Sequence, residues 1–265
     1  MPASMSGTPP GVTSRDAAPV EETGRTAARC SLAQTVRSEP EAYTRPVDEE
    51  AGECCFDDWV DHWSKRSKKK RTVAGVTAPL LRGLEAAGIR DRTVLDVGCG
   101  IGDLAIEAVR QGAARAFGVE LSAKAVDEAR RLAVERGVAD RTSFEVGDGS
   151  EMSLPRADVV VLNRVFCCYR DADALLENSL STAGSVYAFT TPPSNGVGGA
   201  FVKAQSRFWN VWYRLRDRKF QGFRVYIHDV DRIDARVRAA GFRPLRSERR
   251  RFVWHLAVYA RTSAA

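Results

Sequence analysis

Three glycines spaced two residues apart, Gly98, Gly100 and Gly102, are the feature of this sequence best suited to chemistry. They follow the apolar run at 94–97, which is typical of a buried parallel strand, and they precede a helical pattern that begins at Asp103. A strand, a glycine turn and a helix form a nucleotide-binding corner, because glycine has no Cβ to keep the backbone away from a ligand. We therefore expect a ligand of the nucleotide type at this turn.

The spacing of these glycines argues against a dinucleotide. The dinucleotide fingerprint is G-x-G-x-x-G, in which the third glycine packs helix on strand and the helix N-terminus faces a pyrophosphate. Here the pattern is Asp96-x-Gly98-x-Gly100-x-Gly102, followed by Asp103 at the helix start. A carboxylate at that point would repel a phosphate and would suit a cationic ligand, so an NAD-dependent oxidoreductase is disfavoured.

Residues 93 to 102 resemble motif I of the class I S-adenosylmethionine-dependent methyltransferases, an acidic residue followed by G-x-G-x-G. The resemblance covers roughly residues 90 to 260 and implies S-adenosylmethionine as cofactor. It implies a role for the end of each strand: motif I holds the cofactor, the second strand end holds the ribose, the third meets the adenine, and the fourth lines the methionine end. The implied cofactor-binding residues, in that order, are Asp96, Gly98, Cys99, Gly100, Gly102, Glu120, Leu121, Asp148, Gly149, Asn163 and Arg164.

The pattern from residue 93 onward predicts a doubly wound α/β fold. Strands are predicted at 93–97, 115–119, 142–146, 158–162 and 185–190, with helices at 103–111, 122–136 and 171–182. Ser122 is the predicted N-cap of the second of these helices. Repeated βα units force parallel strands with right-handed crossovers. A helix at 230–240 is then followed by two strands, 243–249 and 252–260, with no helix between them. We therefore expect a Rossmann-like methyltransferase sheet, mostly parallel, with an antiparallel C-terminal hairpin.

The composition divides the chain into three predicted parts. Residues 1–50 are rich in Pro, Ser, Thr, Ala, Gly and Glu, which predicts a disordered N-terminal tail. Residues 51–90 hold two amphipathic patterns and predict a helical lid. The first has Phe56, Trp59, Val60 and Trp63 on a single face, and the second predicts a helix from about residue 72 to residue 87. Residues 91–265 form the predicted S-adenosylmethionine-binding domain, and residues 196–228 within it are predicted to be a substrate-cap insertion.

Charge and hydropathy limit the partners and the compartment. No apolar run approaches the ~20 residues of a membrane-spanning helix, and the N-terminus lacks a secretory pattern, so a cytoplasmic location is expected. The net charge of +6 combines −6 in residues 1–60 with +12 in the remainder. Basic runs at 65–71 and 246–251 could contact nucleic acid, anionic lipid or an acidic substrate. Solvated surface is the preferred interpretation of both runs, and the oligomeric state is left open.

The cysteines show no disulfide framework and no C-x-x-C motif, so reduced thiols are expected. Two adjacent pairs, Cys54-Cys55 and Cys167-Cys168, would permit metal binding or a redox switch if they converged. Adjacent cysteines rarely chelate well together, and small apolar packing is the preferred interpretation. No metal ligand set is predicted.

Methyl transfer from a sulfonium is an in-line displacement, for which a protein supplies alignment, desolvation and in some cases a base. Histidine titrates near neutrality, so His228 and His62 are candidate bases, and Tyr169 at the expected mouth of the site is a third candidate catalytic residue. The fourth strand ends in Asn-Arg-Val-Phe rather than the Asn/Asp-Pro-Pro-aromatic of adenine N-methyltransferases. This difference argues against a DNA-adenine methyltransferase.

The acceptor is the least determined part of the prediction. In the segment 196–228, basic residues lie on other helical faces than a line of mostly apolar residues that recur at helical spacing, namely Phe201, Gln205, Phe208, Trp212 and Leu215. This pattern fits a cover over a flat or apolar substrate, a membrane-surface contact or ordinary core. The order of lid, core and insertion loosely resembles the magnesium-protoporphyrin O-methyltransferases, which implies a large planar or lipophilic acceptor. We expect methyl transfer to O, N or C of a small or lipophilic molecule. An RNA or protein methyltransferase and a non-catalytic cofactor-binding protein are the alternatives.

Overall fold

The computed structural model describes residues 56–69, 73, 75–216, 222–250 and 252–262. The predicted tail at 1–50 and the pair Cys54-Cys55 lie outside these residues.

A seven-stranded sheet in the order β3-β2-β1-β4-β5-β7-β6 forms the centre of the molecule. The strands β1 to β5 pair in parallel, while β7 pairs antiparallel with both β5 and β6. Their bounds are β1 (Thr93–Val97), β2 (Arg115–Glu120), β3 (Thr142–Val146), β4 (Ala157–Asn163), β5 (Ala183–Thr191), β6 (Phe242–Arg250) and β7 (Trp254–Arg261). The fold predicted from the sequence, a mostly parallel sheet with an antiparallel C-terminal hairpin, is confirmed.

Helices cover both faces of this sheet, which is why its central strands are apolar on both sides. In β4, Val159 and Val161 face one buried cluster, and Val160 and Leu162 face the other. The helices are α1 (Asp57–Lys69), α2 (Thr77–Ala86), α3 (Asp103–Arg110), α4 (Ala123–Glu135), α5 (Ala172–Thr182), α6 (Gly196–Leu215) and α7 (Val230–Ala239). The first cluster receives residues of α1 to α4, and the second receives residues of α5 and α7.

The helix boundaries follow from local chemistry. The predicted N-cap of α4 is confirmed, because the Ser122 hydroxyl accepts a hydrogen bond of 3.0 Å from the Ala125 N–H. Asp171 caps α5 in the same way, at 3.0 Å from the Ala174 N–H. The helix predicted to begin near residue 72 begins at Thr77 instead. Pro79 gives the reason, because proline lacks an N–H and fits only the first turn of a helix.

Polar side chains attach helix α1 to α3 and α4, in addition to the apolar packing of Val60 and Trp63. Lys124 pairs with Asp61 at 3.2 Å, and the Ser67 hydroxyl donates to Asp103 at 2.7 Å. Ser122 Oγ donates to Asp57 Oδ1, and Ser64 Oγ donates to Glu128 Oε1. These contacts hold α1 against α3 and α4 at the end of the sheet where the parallel strands finish.

None of the helices in the described part of the chain has the length and apolar character needed to cross a membrane.

Candidate functional site

A cavity of about 420 Å³ opens at the carboxyl ends of the parallel strands. Open α/β sheets bind ligands at this edge, near the point where the strand order reverses. Here the reversal lies between β1 and β4, since β2 and β3 follow on one side and β5 on the other. Helix α1 lies over the opening and contributes Trp59, His62, Trp63 and Ser67 to its lining.

The glycine turn forms the floor of this cavity. Gly98 has a φ of +72°, and a Cβ placed on it would lie 2.6 Å from Val165 Cγ2, so a larger residue has no room there. The N–H groups of Gly98 and Cys99 both donate to the Val119 carbonyl, at 2.8 and 3.0 Å. The turn is therefore fixed against the end of β2, with Trp63 of α1 above Gly100.

Gly102 has a different position from the other two glycines of the motif. It is not among the residues that line the cavity. Its φ is +74°, and a Cβ there would lie 2.7 Å from the Phe144 ring and 3.0 Å from Ala129 Cβ. The structure thus places Gly102 where α3 begins and packs closely against α4 and β3.

Asp96 is the most unusual charged group in the cavity. It is 1% exposed, and neither of its carboxylate oxygens has a hydrogen-bond partner among the described residues. Burial, followed by the negative charge of Glu120, raises the pKa of Asp96 to about 7. The Ala105 N–H, which is close to the carboxylate but outside hydrogen-bond geometry, and the Arg164 guanidinium lower that pKa by less. A buried carboxylate without a donor is costly unless a ligand supplies one.

Glu120, at the end of β2, joins the turn to the strand. Its Oε2 accepts from the Gly100 N–H at 2.8 Å, and its Oε1 accepts from the N–H groups of Leu121 and Ser122 at 2.8 and 3.3 Å. Glu120 and Leu121 both line the cavity. Through these bonds the carboxylate fixes the glycine turn to the residues that lead into α4.

Asp103 adds a second acidic group on the side of α1. It lines the cavity, and burial raises its pKa, while the hydrogen bond from Ser67 and the charges of Arg136 and Arg164 lower it. With Asp96 and Glu120, three carboxylates face one small space. This arrangement favours a positively charged ligand, as the sequence position of Asp103 predicts.

At the end of β3, Asp148 lies behind a tyrosine. The Tyr169 hydroxyl donates to the Asp148 carboxylate at 2.7 Å, and the Ser150 N–H and hydroxyl donate to it at 2.8 Å. Tyr169 and Gly149 line the cavity and Asp148 does not. Burial raises the pKa of Tyr169, so its hydroxyl stays neutral and acts as a donor.

The end of β4 is held in a strained conformation at the cavity wall. Arg164 has a φ of +65°, which is uncommon for a residue with a side chain, and its N–H donates to Thr190 Oγ1 at 2.9 Å. The Asn163 amide donates to Thr77 Oγ1 at 3.0 Å and accepts from Thr190 Oγ1 at 2.8 Å. Asn163 and Arg164 both line the cavity, as the resemblance implies.

The three candidate catalytic residues differ in their positions. His62 lines the cavity from α1, with its ring 6.4 Å from that of Trp59. His228 does not line the cavity, and its Nε2 lies 2.8 Å from the Tyr169 carbonyl oxygen. Because a carbonyl only accepts, Nε2 carries the proton in that contact. The structure therefore places His228 behind Tyr169 and brings only His62 and Tyr169 to the cavity.

The thiols at the cavity mouth form a close pair. Cys167 and Cys168 line the cavity with their sulfurs 3.5 Å apart. The hydrogen bond between them lowers the pKa of Cys167 and raises that of Cys168. Convergence with Cys54 and Cys55 concerns residues outside the described part of the chain. Among the described residues, no three His, Cys, Asp or Glu side chains come together in a way that could hold a metal ion.

Trp254 also lines the cavity, a contribution that the sequence did not indicate by itself. It is the first residue of β7, and because β7 runs antiparallel to β5, that residue lies at the carboxyl edge of the sheet. The predicted C-terminal hairpin contains the signal that could have located it, since the first residues of an antiparallel last strand must meet the ends of the parallel ones.

Comparison with known proteins gives the same assignment for the core of the chain. Residues 94–182 match the family model described as a methyltransferase domain. The ribosomal protein L11 methyltransferase of Pasteurella multocida is 40% identical over 87 residues, which are 33% of this chain and 29% of that protein. The chain thus aligns with less than a third of the length of this relative.

Solved structures resemble a larger part of the chain at lower identity. Magnesium protoporphyrin IX methyltransferase from Synechocystis PCC 6803 has a TM-score of 0.54 at 21% identity, covering 78% of this chain and 84% of that one. An O-methyltransferase family protein from Burkholderia thailandensis has a TM-score of 0.58 at 18% identity, covering 78% and 59%. The resemblance of this chain to class I methyltransferases, in motif and in fold, is confirmed.

Proposed function

We propose that this protein is an S-adenosylmethionine-dependent methyltransferase that transfers a methyl group to O, N or C of a small or lipophilic molecule. The observation that carries the proposal is Asp96, a buried carboxylate without a hydrogen-bond partner among the described residues, facing a cavity between the glycine turn and α1. S-Adenosylmethionine carries a sulfonium and an ammonium group. These two cationic groups suit a cavity that three carboxylates face, and the α-carboxylate of the methionine part leaves the molecule with a net charge of +1.

The residues present fit this cofactor in kind and in place. The Gly98–Gly100 turn lets the backbone approach the ligand, and Glu120 offers carboxylate oxygens to ribose hydroxyls. Asn163 and Arg164 would meet the methionine end, and Gly149 the adenine. Asp148 would reach the adenine only if the Tyr169 hydroxyl shared it or moved away. Gly102 would act through the packing of α3 rather than by contact.

When bound, the cofactor supplies an electrophilic methyl group on sulfur. The chain's own residues then align the acceptor and exclude water, and α1 contributes the rings of Trp59 and Trp63, of which Trp63 lies above Gly100. Where an acceptor needs to lose a proton, His62 is the candidate base, since it is the histidine that lines the cavity. Tyr169 and His228 would hold the wall of the site.

A small apolar acceptor is supported by the aromatic character of the opening. Phe56, Trp59 and Trp63 line it from α1, and Trp254 lines it from β7. The Phe56 ring packs 5.7 Å from that of Phe223, which follows α6 in the chain. Substrate sites of this size are usually apolar with a few polar groups. The division into a 51–90 lid, a 91–265 domain and a 196–228 cap stays a prediction, as does the cytoplasmic location.

A protein or RNA acceptor is the second candidate function. The sequence match to ribosomal protein L11 methyltransferases favours a protein acceptor, and the basic surface would suit RNA. Each kind of acceptor would place the methyl label in a different fraction of a cell extract: the protein, the RNA or the small molecules.

The test is a screen of cell extract with a radiolabelled methyl donor, comparing the wild type with Asp96→Ala. We expect label in the organic-soluble fraction that depends on the wild-type protein and is at least ~100-fold lower with the variant, because a group that contacts the cofactor is lost. Label in protein or RNA would show that the acceptor is a macromolecule of that class and not a small molecule. Tight donor binding without label in any fraction would favour the non-catalytic alternative.

Glu120→Gln tests the second contact to the cofactor. The amide would present an NH2 group where the carboxylate accepts backbone N–H groups, so we expect a loss of about 1–2 kcal/mol in stability. Binding of S-adenosylhomocysteine should weaken by roughly 10- to 100-fold, because a charge-assisted hydrogen bond to the ligand is lost. Urea unfolding and titration calorimetry measure the two effects.

Glu145→Gln, on the neighbouring strand β3, is the matched control, since that side chain is exposed and outside the cavity. It should change neither quantity. Unaltered S-adenosylhomocysteine binding by Glu120→Gln would remove Glu120 from the proposed site.

A further inference from the structure

Helix α6 carries a continuous apolar stripe that faces solvent. Its members are spaced four, three, four, three and four residues apart, which places them on one line of the helix. Val197 is 85% exposed, Phe208 65% and Leu215 79%. The full stripe consists of Val197, Phe201, Ala204, Phe208, Val211 and Leu215. Single exposed apolar residues are ordinary, but a stripe along a whole helix marks an interaction surface.

The stripe lies on the side of α6 opposite to the side that packs on the protein. The buried side is narrow and consists of Gly198, Gly199, Val202, Ser206 and Tyr213. None of these residues belongs to the stripe, so the stripe does not serve the core of the described structure. Polar side chains on the outer side of α6 would cost the helix little stability in water. The apolar side chains there therefore need an explanation other than folding.

Basic residues accompany the stripe along one flank. Lys203, Arg207 and Arg214 are exposed, and their spacing places them on one line beside the apolar residues. Helix α6 contains no Asp or Glu. Within the described part of the chain, none of these three cations makes a salt bridge.

An exposed aromatic residue outside the helix adjoins the start of α6. Phe252, in the turn between β6 and β7, is 78% exposed and has a φ of +59°. Its carbonyl oxygen lies 2.6 Å from the position of a Cβ on Gly198, and the Arg249 guanidinium lies 3.0 Å from that of Gly196. The β6–β7 turn thus extends the apolar and basic character of α6 beyond its N-terminal end.

We propose that α6 and the β6–β7 turn bind the surface of an anionic lipid bilayer. An apolar line flanked by Lys and Arg, with tryptophans nearby, is the pattern of helices that lie in the membrane interface. The tryptophans are Trp209, which is partly exposed, and Trp212, over which the Arg216 guanidinium lies at 4.4 Å. Acidic headgroups supply the negative charge that α6 itself lacks.

Charge distinguishes this occupant from a second copy of the chain. In a symmetric dimer built on the stripe with antiparallel helices, Lys203, Arg207 and Arg214 of the two copies would lie on the same side of the contact. In either helix orientation, α6 of the other copy offers no acidic residue to compensate them. A bilayer with acidic lipid offers the opposite charge over the whole length of the helix. The inference does not depend on the proposed methyl transfer, because it concerns a surface outside the cavity.

Vesicle co-sedimentation of the full chain tests the proposal, with phosphatidylcholine vesicles that contain about one third phosphatidylglycerol and with pure phosphatidylcholine vesicles. We expect binding to the acidic vesicles that weakens with added salt, and much weaker binding to the neutral ones. Lys203→Gln/Arg207→Gln/Arg214→Gln should bind the acidic vesicles about 100-fold more weakly, since each basic residue near such a surface contributes roughly five-fold.

Phe201→Ser/Phe208→Ser should also lose binding while it folds normally, because both side chains are exposed. Two matched controls should bind like the wild type. Arg115→Gln/Arg156→Gln/Arg243→Gln removes three exposed charges elsewhere, and Val134→Ser removes an apolar side chain of α4 that is 69% exposed.

Absence of wild-type binding to the acidic vesicles would overturn the proposal, as would equal losses in the variants and their controls. A concentration-dependent dimer in sedimentation velocity that Phe208→Ser abolishes, without vesicle binding, would assign the stripe to a second copy instead. S-Adenosylhomocysteine binding, measured on the same variants, should stay unchanged throughout.

Discussion

Asp96→Asn is expected to make the ligand-free protein more stable at about pH 8 while abolishing its binding of S-adenosylhomocysteine. The wild-type carboxylate is buried without a partner among the described residues, and its pKa is raised to about 7, so ionisation at high pH opposes folding. Asparagine keeps the shape without the charge. We expect a net gain of roughly 2 kcal/mol after the cost of an unpaired buried amide.

The direction with pH follows from the two pKa values of Asp96. The pKa rises from 3.8 to about 7 on folding, so between these values the unfolded chain releases a proton that the folded chain retains. The stabilisation by the protonated group is fully present below about pH 4 and is lost as the pH rises through 7, a change of up to roughly 4 kcal/mol. The advantage of Asn should therefore be largest above pH 7 and fade toward pH 4.

Urea unfolding across this pH range and titration calorimetry with S-adenosylhomocysteine measure the two effects. Asp158→Asn, at the opposite end of the sheet, is the control of opposite sign. Hydrogen bonds from the Thr93 N–H and hydroxyl lower the pKa of Asp158, so its contribution is present above its ordinary pKa and lost as pH falls. That variant should be less stable at neutral pH and should bind normally. A destabilised Asp96→Asn that still binds would contradict the site assignment.

Gly102→Ala should destabilise the protein by about 3 kcal/mol with little change in S-adenosylhomocysteine affinity. Strain from the positive φ accounts for about 1 kcal/mol, and overpacking against Phe144 and Ala129 for the remainder. The affinity should persist because Gly102 does not line the cavity. Chemical unfolding gives the first quantity, and calorimetry at a temperature where the variant is folded gives the second.

Gly137 provides a matched comparison for Gly102. Its φ is +68°, and a Cβ there would meet nothing within 4 Å, so Gly137→Ala isolates the backbone strain. In addition, Gly102→Ala combined with Phe144→Leu should cost less than the sum of the single changes, because both act on one contact. Equal losses for Gly102→Ala and Gly137→Ala would refute the packing role. A large loss of S-adenosylhomocysteine affinity in Gly102→Ala would instead indicate that Gly102 contacts the cofactor.

Features that depend on neighbouring residues in the chain were predictable from the sequence. The bounds of β1 and β3 agree with the prediction to the residue, and Ser122 caps α4, because apolar runs and capping residues act locally. The edge of the sheet that holds the site was also predictable, since the carboxyl ends of parallel strands meet there.

Features that depend on residues far apart in the sequence could not be predicted from it. The Tyr169 hydroxyl donates a hydrogen bond to the Asp148 carboxylate, although the two residues are 21 positions apart in the sequence. Gly102 contacts Phe144 only because α3 and β3 come together in the fold. The α6 pattern shows a further limit. Periodicity identified an apolar side that includes Phe201, Phe208 and Leu215, but it does not state what covers that side, and the described structure leaves it in water.

The antiparallel direction of β7 has a consequence for how such a protein can diversify. It brings Trp254, from the last strand of the chain, to a cavity whose other lining residues lie between positions 56 and 175. The β6–β7 turn connects two strands of one hairpin. Changes in its length or its side chains therefore leave the βα crossovers and the glycine turn in place. Selection for a new acceptor could therefore act on this turn while the donor end stays unchanged.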